Sequence, residues 1–300
     1  MDADERGEGI AVGGDGSPEE AFSHVANETR FDILRALWEA RNEGEEPTGF
    51  SALRRRSGVD DSGQFNYHLD QLRPRFVRKV EGGYELTYAG QRIIGAAVSG
   101  VYTGADTEFG PLDVADCPSC GGSVTLHYED AYANVTCEDC GMTVTNASVP
   151  PVLVAGCDPA EVPLTVSNHL LTEVQRLNRG ICPLCNGRTE RAVEGDQFGD
   201  SEAFADHVQV VYTCRECGSS SSGVVSMVLF DHPAVVSFFH DHGVDLHATP
   251  VWEFDWWYDT PGTVANEDPL RVDATIAFDG AELALTLDEN LDVVAYERSD

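Results

Sequence analysis

The sequence predicts an α+β protein, and three patterns carry that prediction. Residues 18–104 have the periodicity of several helices with one hairpin among them. Residues 105–225 hold four Cys-x-x-Cys pairs among short alternating segments, and residues 226–300 end in alternating β segments. A chain of 300 residues with 42% hydrophobic content is long enough to bury more than one core. We therefore expect several domains.

The expected boundaries lie where composition and periodicity change. The segments are a disordered acidic tail at 1–17, a helix-rich domain at 18–104, a first cysteine domain at 105–150, a linker with a bridging helix at 151–180, a second cysteine domain at 181–225, and a helix with antiparallel β hairpins at 226–300. The tail lacks the basic flank and apolar stretch of a secretory signal. No run approaches the roughly 18 apolar residues of a membrane helix. We expect a cytoplasmic protein with no membrane partner.

Charge is distributed unevenly along the chain. There are 52 acidic against 19 basic residues, a formal net charge of -33, and Lys79 is the only lysine. This composition resembles that of halophilic, haloarchaeal cytoplasmic proteins, since molar salt shortens the Debye length to about 3 Å and makes self-repulsion tolerable. An acidic mesophilic protein is the alternative. Between Thr48 and Arg92, however, eight basic residues outnumber five acidic ones, which favours a phosphate-bearing partner for this segment.

Helix-start signals recur through the first hundred residues. Ser17-Pro18-Glu19-Glu20 is a capping box with proline at the first helical position, and Asn27 can cap a second helix. Asp61 followed by Gln64 predicts the start of a fourth helix, after a short third helix over FSALRRRSGV. The inner stripe of the fourth helix is Phe65, Leu69 and Leu72.

A hairpin and a last helix follow. Glu81-Gly82-Gly83 predicts a turn between strands at 76–80 and 84–87, and the last helix is expected over 89–102. Helix, helix, helix-turn-helix, hairpin and helix is the order of a winged helix-turn-helix domain.

Three stretches of this segment, NETRFDILRAL, RRSGVDDSGQFNYHLDQL and FVRKVEGGYELTYAGQR, resemble an ArsR-type transcriptional regulator of the haloarchaeal kind, over about residues 18–104. The resemblance implies that the second helix of the helix-turn-helix enters the DNA major groove and that the hairpin touches the DNA backbone. It also implies a homodimer through the helix at about 89–102, with packing inside the chain as the alternative. Metal-sensing members carry cysteines in the helix before the recognition helix. The corresponding SALRRRSGV has none, so metal sensing is not carried over.

Candidate DNA contacts follow from helical geometry and charge. Residues that point away from the inner stripe, near the start of the recognition helix, reach base edges in such motifs, and an amide side chain can pair with adenine. Glycine lets the backbone approach a phosphate, and cations of the hairpin face phosphates. The candidates are Ser62, Gly63, Gln64, Asn66 and Tyr67 on the helix, and Arg75, Arg78 and Lys79 on the hairpin and the turn before it.

Eight of the nine cysteines form the four Cys-x-x-Cys pairs. Sixteen residues separate the first two pairs and twenty-eight the last two. Paired spacings of this kind indicate metal ligands in a cytosolic chain. Four thiolates make a closed tetrahedral site, so each half predicts a zinc ribbon with one structural zinc ion. Reversible thiol oxidation is the alternative. The ligands are Cys117, Cys120, Cys137 and Cys140 in the first ribbon and Cys182, Cys185, Cys214 and Cys217 in the second. Cys157 is left without an evident partner.

The C-terminal part is expected to contain a helix over HPAVVSFFHDHG, a strand over VWEFDWW, a hairpin around Asp279-Gly280 and a third strand after it. Aromatic residues at Trp252–Trp257 favour a core strand, and a small-molecule pocket is the alternative. The histidines of His232–His247 favour a solvated helix end. A metal site at His240 and His242 with Asp231 or Asp241 is the alternative.

The sequence contains no nucleophile–base pair and no phosphate-binding loop that follows a strand, so we do not expect an enzyme. The expected function is transcription regulation through double-stranded DNA, with the two ribbons and the C-terminal part serving regulation or interaction. One alternative is a protein-interaction module of the transcription machinery without sequence-specific DNA binding. The other is an enzyme whose site lies at the Trp- and His-rich end. Operator, effector and sign of regulation stay open.

Overall fold

A computed structural model describes residues 17–104, 106–194 and 206–299. The described residues form two compact units, one within 17–104 and one within 106–299. The predicted acidic tail lies outside the described residues, apart from Ser17, and so do residues 195–205 between the third and fourth cysteine pairs. Helices and strands occur in both units, as expected for an α+β protein.

The first unit contains five helices and one hairpin among its described residues. They are α1 Pro18–Val25, α2 Glu28–Asn42, α3 Phe50–Arg56, α4 Ser62–Leu72, β1 Val77–Val80, β2 Gly83–Leu86 and α5 Tyr88–Val98. Side chains cap four of the helices at their first free N–H groups, which would otherwise lack partners. The capping residues are Ser17, Asn27, Asp61 and Thr87, three of which the sequence predicts.

The core of the first unit forms around α2, which contacts α3, α4, α5 and β2. The predicted inner stripe of α4 is fully buried there, together with Ile33, Leu34 and Leu37 of α2. Thr48 extends the hairpin by pairing with Tyr84 through two backbone hydrogen bonds of 3.0 Å. The Thr48 carbonyl leaves no room for a side chain at Gly83, so this glycine is required by close backbone approach.

Helix α5 is shorter than the sequence predicts. It ends at Val98 rather than Tyr102, because Gly100 adopts a left-handed conformation with a φ of 79° just after the helix. Of its predicted apolar stripe, Ile94 is buried in the unit. Val98, Val101 and Tyr102 are 61%, 52% and 80% exposed.

The second unit begins with a four-stranded antiparallel sheet. Its strands are β3 Phe109–Asp116, β4 Ser123–Glu129, β5 Tyr132–Cys137 and β6 Thr143–Ser148, in sequential order. The alternating patterns of SVTLHY and ANVTC predict only the two central strands. The outer strands are not predicted, because their exposed, irregular patterns lack a strict apolar alternation.

Helices and a second sheet follow. They are α6 Pro151–Val154, α7 Val162–Asn178, β7 Thr189–Val193, β8 Gln209–Cys214, β9 Ser220–Val224, α8 Val225–Leu229 and α9 Pro233–Asp241. Strands β7, β8 and β9 form an antiparallel sheet with β8 in the centre. Helix α7 is the predicted amphipathic helix between the two cysteine-bearing segments, and it buries Val162, Val166 and Leu171.

The C-terminal segment is a third sheet. After α10 Asp255–Tyr258, it contains β10 Thr263–Glu267, β11 Leu270–Phe278, β12 Ala281–Leu287 and β13 Val293–Ser299, in sequential antiparallel order. The predicted turn is present, with positive φ at Asp279 and Gly280. Val272 lies opposite Leu287 and Ile276 opposite Leu283, and all four are fully buried.

The prediction of a strand over VWEFDWW is wrong. Val251–Glu253 form one 3-10 turn and Asp255–Tyr258 one α-helical turn, joined by extended backbone at Phe254. Trp252, Phe254, Trp256 and Tyr258 are all buried. Their alternation imitates a strand, although the segment hydrogen-bonds locally and to side chains rather than to a neighbouring strand.

One hydrophobic core runs through the second unit, from the first sheet across α7, α8 and α9 to the third sheet. Trp252 and Trp256 are part of this core, and Trp257 packs against it. Among the described residues, no helix combines the length and apolar character needed to cross a membrane.

Candidate functional site

The four Cys-x-x-Cys pairs fold into four equivalent turns. In each, the N–H of the residue four positions after the first cysteine donates to that cysteine's carbonyl oxygen, at 2.8 to 3.1 Å. The first cysteine's own N–H donates to the carbonyl of the residue five positions on. The residue four positions after the first cysteine has a positive φ in every turn. In chain order these residues are Gly121, Gly141, Asn186 and Gly218. Asparagine therefore takes the left-handed position in the third turn.

The turns meet in pairs to form two clusters of thiols. The first cluster is Cys117, Cys120, Cys137 and Cys140, and the second cluster is Cys182, Cys185, Cys214 and Cys217. Within each cluster all sulfur atoms lie within 4.8 Å of one another. Four close Sγ–Sγ distances are 3.7 Å for Cys117–Cys140, 3.6 Å for Cys120–Cys137, 3.9 Å for Cys182–Cys217 and 3.5 Å for Cys185–Cys214. These are far longer than the roughly 2.05 Å of a disulfide bond, and all nine cysteines are free.

The pKa is lowered at one cysteine of the first cluster and at two of the second, whereas the pKa of Cys120, Cys140 and Cys185 is raised. Backbone N–H groups, chiefly that of Cys140, lower the pKa of Cys137 to about 7. The hydroxyl and backbone N–H of Ser219 lower the pKa of Cys217 to about 6. A thiolate is the form that binds a metal ion. The two clusters can therefore each hold one metal ion through four sulfur ligands, as the spacing predicts.

The second cluster has a brace that the sequence analysis missed. Arg176, in the last turn of α7, donates from Nη2 to the carbonyl oxygen of Cys182 at 3.1 Å and to Oδ1 of Asn186 at 2.6 Å. The hydroxyl of Ser219 lies 3.2 Å from the Cys217 sulfur and 3.4 Å from the Cys182 sulfur. The only signal for this brace in the sequence was the closeness of a helix C-terminus to a cysteine turn.

The first cluster is held differently. Thr125 on β4 donates to Oε1 of Glu138 at 2.6 Å, and the His127 ring lies 3.4 Å from the same oxygen. Glu138 directly follows the ligand residue Cys137. The Thr125 hydrogen bond, helped by His127, lowers the pKa of Glu138 below its usual value. This turn is therefore fixed to the neighbouring strand of its own sheet.

A metal ion held by four sulfur ligands has no open position for a substrate. This geometry favours a structural or a redox role for the two clusters over a catalytic one. Cys157 lies outside both, and its thiol contacts the Leu153 carbonyl at 3.4 Å. In the described part of the chain the two clusters are the only groups of three or more potential metal ligands. The alternative metal site at His240 and His242 is therefore not formed, and Nδ1 of His242 lies 2.8 Å from the Phe238 carbonyl.

The candidate DNA contacts on α4 occupy its exposed side. Ser62, Gly63 and Gln64 form the exposed first turn, and Tyr67 is 60% exposed. Asn66 is exposed, but its Nδ2 donates to Asp70 Oδ2 at 3.0 Å. At Gly63 a Cβ would lie 3.2 Å from Oδ1 of Asp61. That oxygen caps α4 through the Gln64 N–H at 2.6 Å, so glycine here also leaves room for the cap.

The eight basic residues between Thr48 and Arg92 divide into two sets. One set contacts other protein groups: Arg54 donates to the carbonyls of Val59 and Asp60, Arg56 pairs with Glu43 and Glu45, Arg73 with Asp70, and Arg78 with Glu85. The side chains of the other set have no partner among the described residues. This second set is Arg55, Arg75, Lys79 and Arg92.

Arg78 is the candidate contact whose surroundings differ most from the expectation of a free cation. It lies directly opposite Glu85 on the hairpin, and its Nε and Nη2 donate to one carboxylate oxygen at 3.0 and 2.9 Å. Its side chain is still 63% exposed. Lys79 and Arg75 are exposed and lack such an acidic neighbour within the described chain.

Family models match both units. A domain of unknown function, DUF7347, matches residues 18–97, and a domain of unknown function, DUF7351, matches residues 114–293. No curated protein and no solved structure matches the chain. Each family match lies within one compact unit.

Proposed function

The chain belongs to the DUF7351 family, and we propose that it is a DNA-binding transcriptional regulator. Residues 17–104 would read DNA as a winged helix-turn-helix of the ArsR type, and the cysteine-bearing unit would serve regulation or interaction. The observation that carries the proposal is a pair of exposed segments in the first unit. The first turn of α4 is exposed and polar, and the hairpin that follows α4 carries the exposed Lys79, which has no partner among the described residues.

Helix α4 has the properties of a recognition helix. Its inner stripe fixes it to the core, so the opposite side is free for another molecule. The first turn carries only small or amide side chains, and such side chains fit close to base edges. Gln64 is the strongest candidate for a base contact, because Asn66 already donates to Asp70.

The hairpin has the properties of a wing. Lys79 and Arg75 are the primary candidates for phosphate contacts, since the described residues leave both cations uncompensated. Arg78 keeps its position as a candidate, with Glu85 orienting its guanidinium. The segment from Thr48 to Arg92 carries only a small excess of positive charge, with eight basic against five acidic residues. Affinity in molar salt would then depend mainly on hydrogen bonds and shape.

Zinc is the metal we assign to both clusters. Tetrahedral coordination with zinc–sulfur bonds of about 2.3 Å places neighbouring sulfur atoms about 3.8 Å apart. The four Sγ–Sγ distances of 3.5 to 3.9 Å bracket that value. Two structural ions, each in a ribbon of antiparallel strands, would then stabilise the second unit without taking part in a reaction.

A homodimer is part of the proposal. Val98 at the end of α5, and Val101 and Tyr102 just beyond it, are large and exposed, and so is Tyr88 at the start of the helix, at 75%. A second copy of the chain would cover these side chains. Two recognition helices related by a twofold axis would read a palindromic operator.

A protein-interaction module without sequence-specific DNA binding is the second candidate. The ion pairs favour it, since half of the basic residues between Thr48 and Arg92 are already engaged within the protein. On this view the exposed side of α4 would contact a protein of the transcription machinery.

The deciding experiment is an electrophoretic mobility shift with the full chain and DNA from its own promoter, in high-salt buffer. Lys79→Glu is compared with Arg188→Glu, which makes the same charge change at an exposed residue of the other unit. We expect Lys79→Glu to lose binding by at least about tenfold, which is about 1.4 kcal/mol, and Arg188→Glu to bind as the wild type does. Gln64→Ala should weaken binding to the promoter but not to unrelated DNA.

Binding that is absent, or equally strong on unrelated DNA, would favour the interaction module. Equal losses for Lys79→Glu and Arg188→Glu would show that only net charge matters, and they would contradict the assigned surface.

A further inference from the structure

The second unit contains a cavity of about 570 Å³ that neither the metal sites nor the proposed DNA surface uses. Three elements form its walls: β6, β9 and the C-terminal half of α7. Volumes of roughly 300 to 1,000 Å³ are typical of small-molecule sites. The cavity lies entirely within one compact unit and between its two cysteine-bearing sheets.

Two sheet edges border the cavity. Every residue of β6 from Thr143 to Ser148 lines it, and so does every residue of β9 from Ser220 to Val224, together with Ser219 just before that strand. Side chains of a strand alternate between two faces, so consecutive lining residues indicate that the cavity runs along the edge of each strand. Both strands are the last in their sheets. Their outer backbone N–H and C=O groups therefore supply hydrogen-bond donors and acceptors along the cavity.

The interior is apolar and the mouth polar. Leu171, Val174, Leu177, Val224 and Val251 line the cavity and are at most 8% exposed. The exposed lining residues are mostly hydroxyl or amide side chains, including Thr143, Asn146 and Ser220 to Ser222. A buried apolar interior with a few polar groups at its rim is the usual composition of a ligand site.

The charge of the lining restricts the ligand further. Among the described residues that line it, Glu173 is the only one with a carboxylate, and none is a lysine or arginine. The Glu173 carboxylate lies 3.5 Å from Arg176 Nη1, and the chain as a whole carries a formal net charge of -33. An anionic ligand would find no positively charged side chain in the lining to pair with. A neutral or cationic ligand would meet no side chain that repels it.

We propose that this cavity binds a neutral or cationic small molecule with a largely apolar body and a group that can pair with a strand edge, such as an amide, amine or hydroxyl. This goes beyond the proposed DNA-binding function and does not depend on it. The cavity adjoins the second cluster, because residues of that cluster's turns line it. Pro183 and Leu184, which lie between Cys182 and Cys185, form part of the wall, as does Ser219 beside Cys217.

The test is a fluorescence titration of the metal-loaded full chain with N-phenyl-1-naphthylamine, a neutral apolar amine that brightens in an apolar site. Ser221→Phe is the blocking variant, because Ser221 is exposed and lies opposite Tyr212, which also lines the cavity. Thr275→Phe is the control, since it adds the same ring at an exposed strand position outside the lining. Circular dichroism checks that both variants fold.

We expect saturable binding by the wild type and Thr275→Phe, and a loss of affinity of at least about tenfold in Ser221→Phe. The sulfonate probe 8-anilinonaphthalene-1-sulfonate, which has a similar apolar body but a negative charge, should bind at least about tenfold more weakly than the amine. Unchanged amine binding in Ser221→Phe, no saturable binding, or tighter binding of the sulfonate would each overturn the proposal. None of these outcomes bears on DNA binding, so the two proposals fail separately.

Discussion

The two four-cysteine clusters share one turn but are attached to the protein in different ways. In the first cluster both left-handed positions are glycine, and the turn is tied to its own sheet by Thr125 and Glu138. In the second cluster one left-handed position is Asn186, and Arg176 connects that turn to α7. The common turn is thus a local property of Cys-x-x-Cys followed by glycine or asparagine. Its attachment depends on the surrounding fold.

This difference predicts that the clusters respond alike to the loss of a ligand but differently to the loss of a neighbour. A variant that breaks the common turn should affect either site, whereas a variant that removes a brace should affect only one.

Loss of a ligand should have the largest effect. Cys137→Ser and Cys214→Ser each remove a buried sulfur from one cluster. We expect each variant to lose one of two bound metal ions per chain and to destabilise the second unit by more than about 4 kcal/mol, because a metal site contributes directly to folding. Metal analysis by mass spectrometry and hydrogen exchange of residues 106–299 measure the two effects. Cys157→Ser, outside both clusters, is the control. Retention of both ions in either variant would contradict the four-sulfur assignment.

Loss of the arginine brace should affect the second cluster alone. Arg176→Ala removes two hydrogen bonds that the charged guanidinium donates. A hydrogen bond of this kind contributes about 1.5 to 3 kcal/mol to stability. The rate at which a chelator removes the second metal ion should rise, and the first ion should be released as in the wild type. Arg179→Ala, three residues further on at the C-cap of α7, is the matched control. The Arg179 side chain is 62% exposed and pairs with the less exposed Asp231, so the expected effect on the second metal site is below about 1 kcal/mol. Equal acceleration at both sites would show that α7 stabilises the whole unit rather than one turn.

Replacement of the left-handed residues compares the turns themselves. Gly121→Ala adds a Cβ that meets no atom within 4 Å, so only the backbone conformation opposes it, at about 1 to 2 kcal/mol. Asn186→Ala should cost more, because it also removes the acceptor for Arg176. Asn186→Asp keeps both the acceptor and the tolerance for positive φ, and it should be close to neutral. Thermal unfolding of the metal-loaded protein ranks the three, and an Asn186→Ala effect below that of Gly121→Ala would mean that the Arg176 contact adds nothing.

The smallest expected effect is a pH dependence confined to the first cluster. The folded protein lowers the pKa of Glu138, so the ionised carboxylate contributes stability above the ordinary glutamate pKa of about 4.3. That contribution is lost as the pH falls through the lowered value. Glu138→Gln should therefore differ from the wild type at pH 6 and converge with it in acid. Glu216→Gln, the same change between Cys214 and Cys217, is the matched control. Parallel urea unfolding curves at several pH values test this.

Local signals let much of the fold be predicted from the sequence. Ser17, Asn27 and Asp61 cap helices because a short polar side chain can reach nearby backbone N–H groups. Asp279-Gly280 makes its hairpin turn because both residues tolerate positive φ. The cysteine spacing predicts the membership of both clusters because this signal is local too: the hydrogen bonds of each turn lie within six consecutive residues.

Contacts between distant residues could not be predicted in this way. The alternation of Trp252 to Tyr258 imitates a strand, and only the absence of a neighbouring strand reveals two short helical turns. The brace from Arg176 joins residues only six and ten positions apart, but it depends on how the chain turns between α7 and Cys182, which the closeness in sequence does not specify. The Arg78–Glu85 pair lies between these cases, because the predicted hairpin implies which residues face each other, whereas the positions of the basic residues alone do not reveal an acid on the opposite strand.

Lys79 has a chemical consequence beyond electrostatics. It is the only side-chain amine of the chain, and it stands exposed on β1. Reductive methylation with ¹³C-formaldehyde would thus label the protein at this one side chain and at any free α-amino group. A single methyl resonance would then report directly on whatever approaches the hairpin, without any mutation and at any salt concentration.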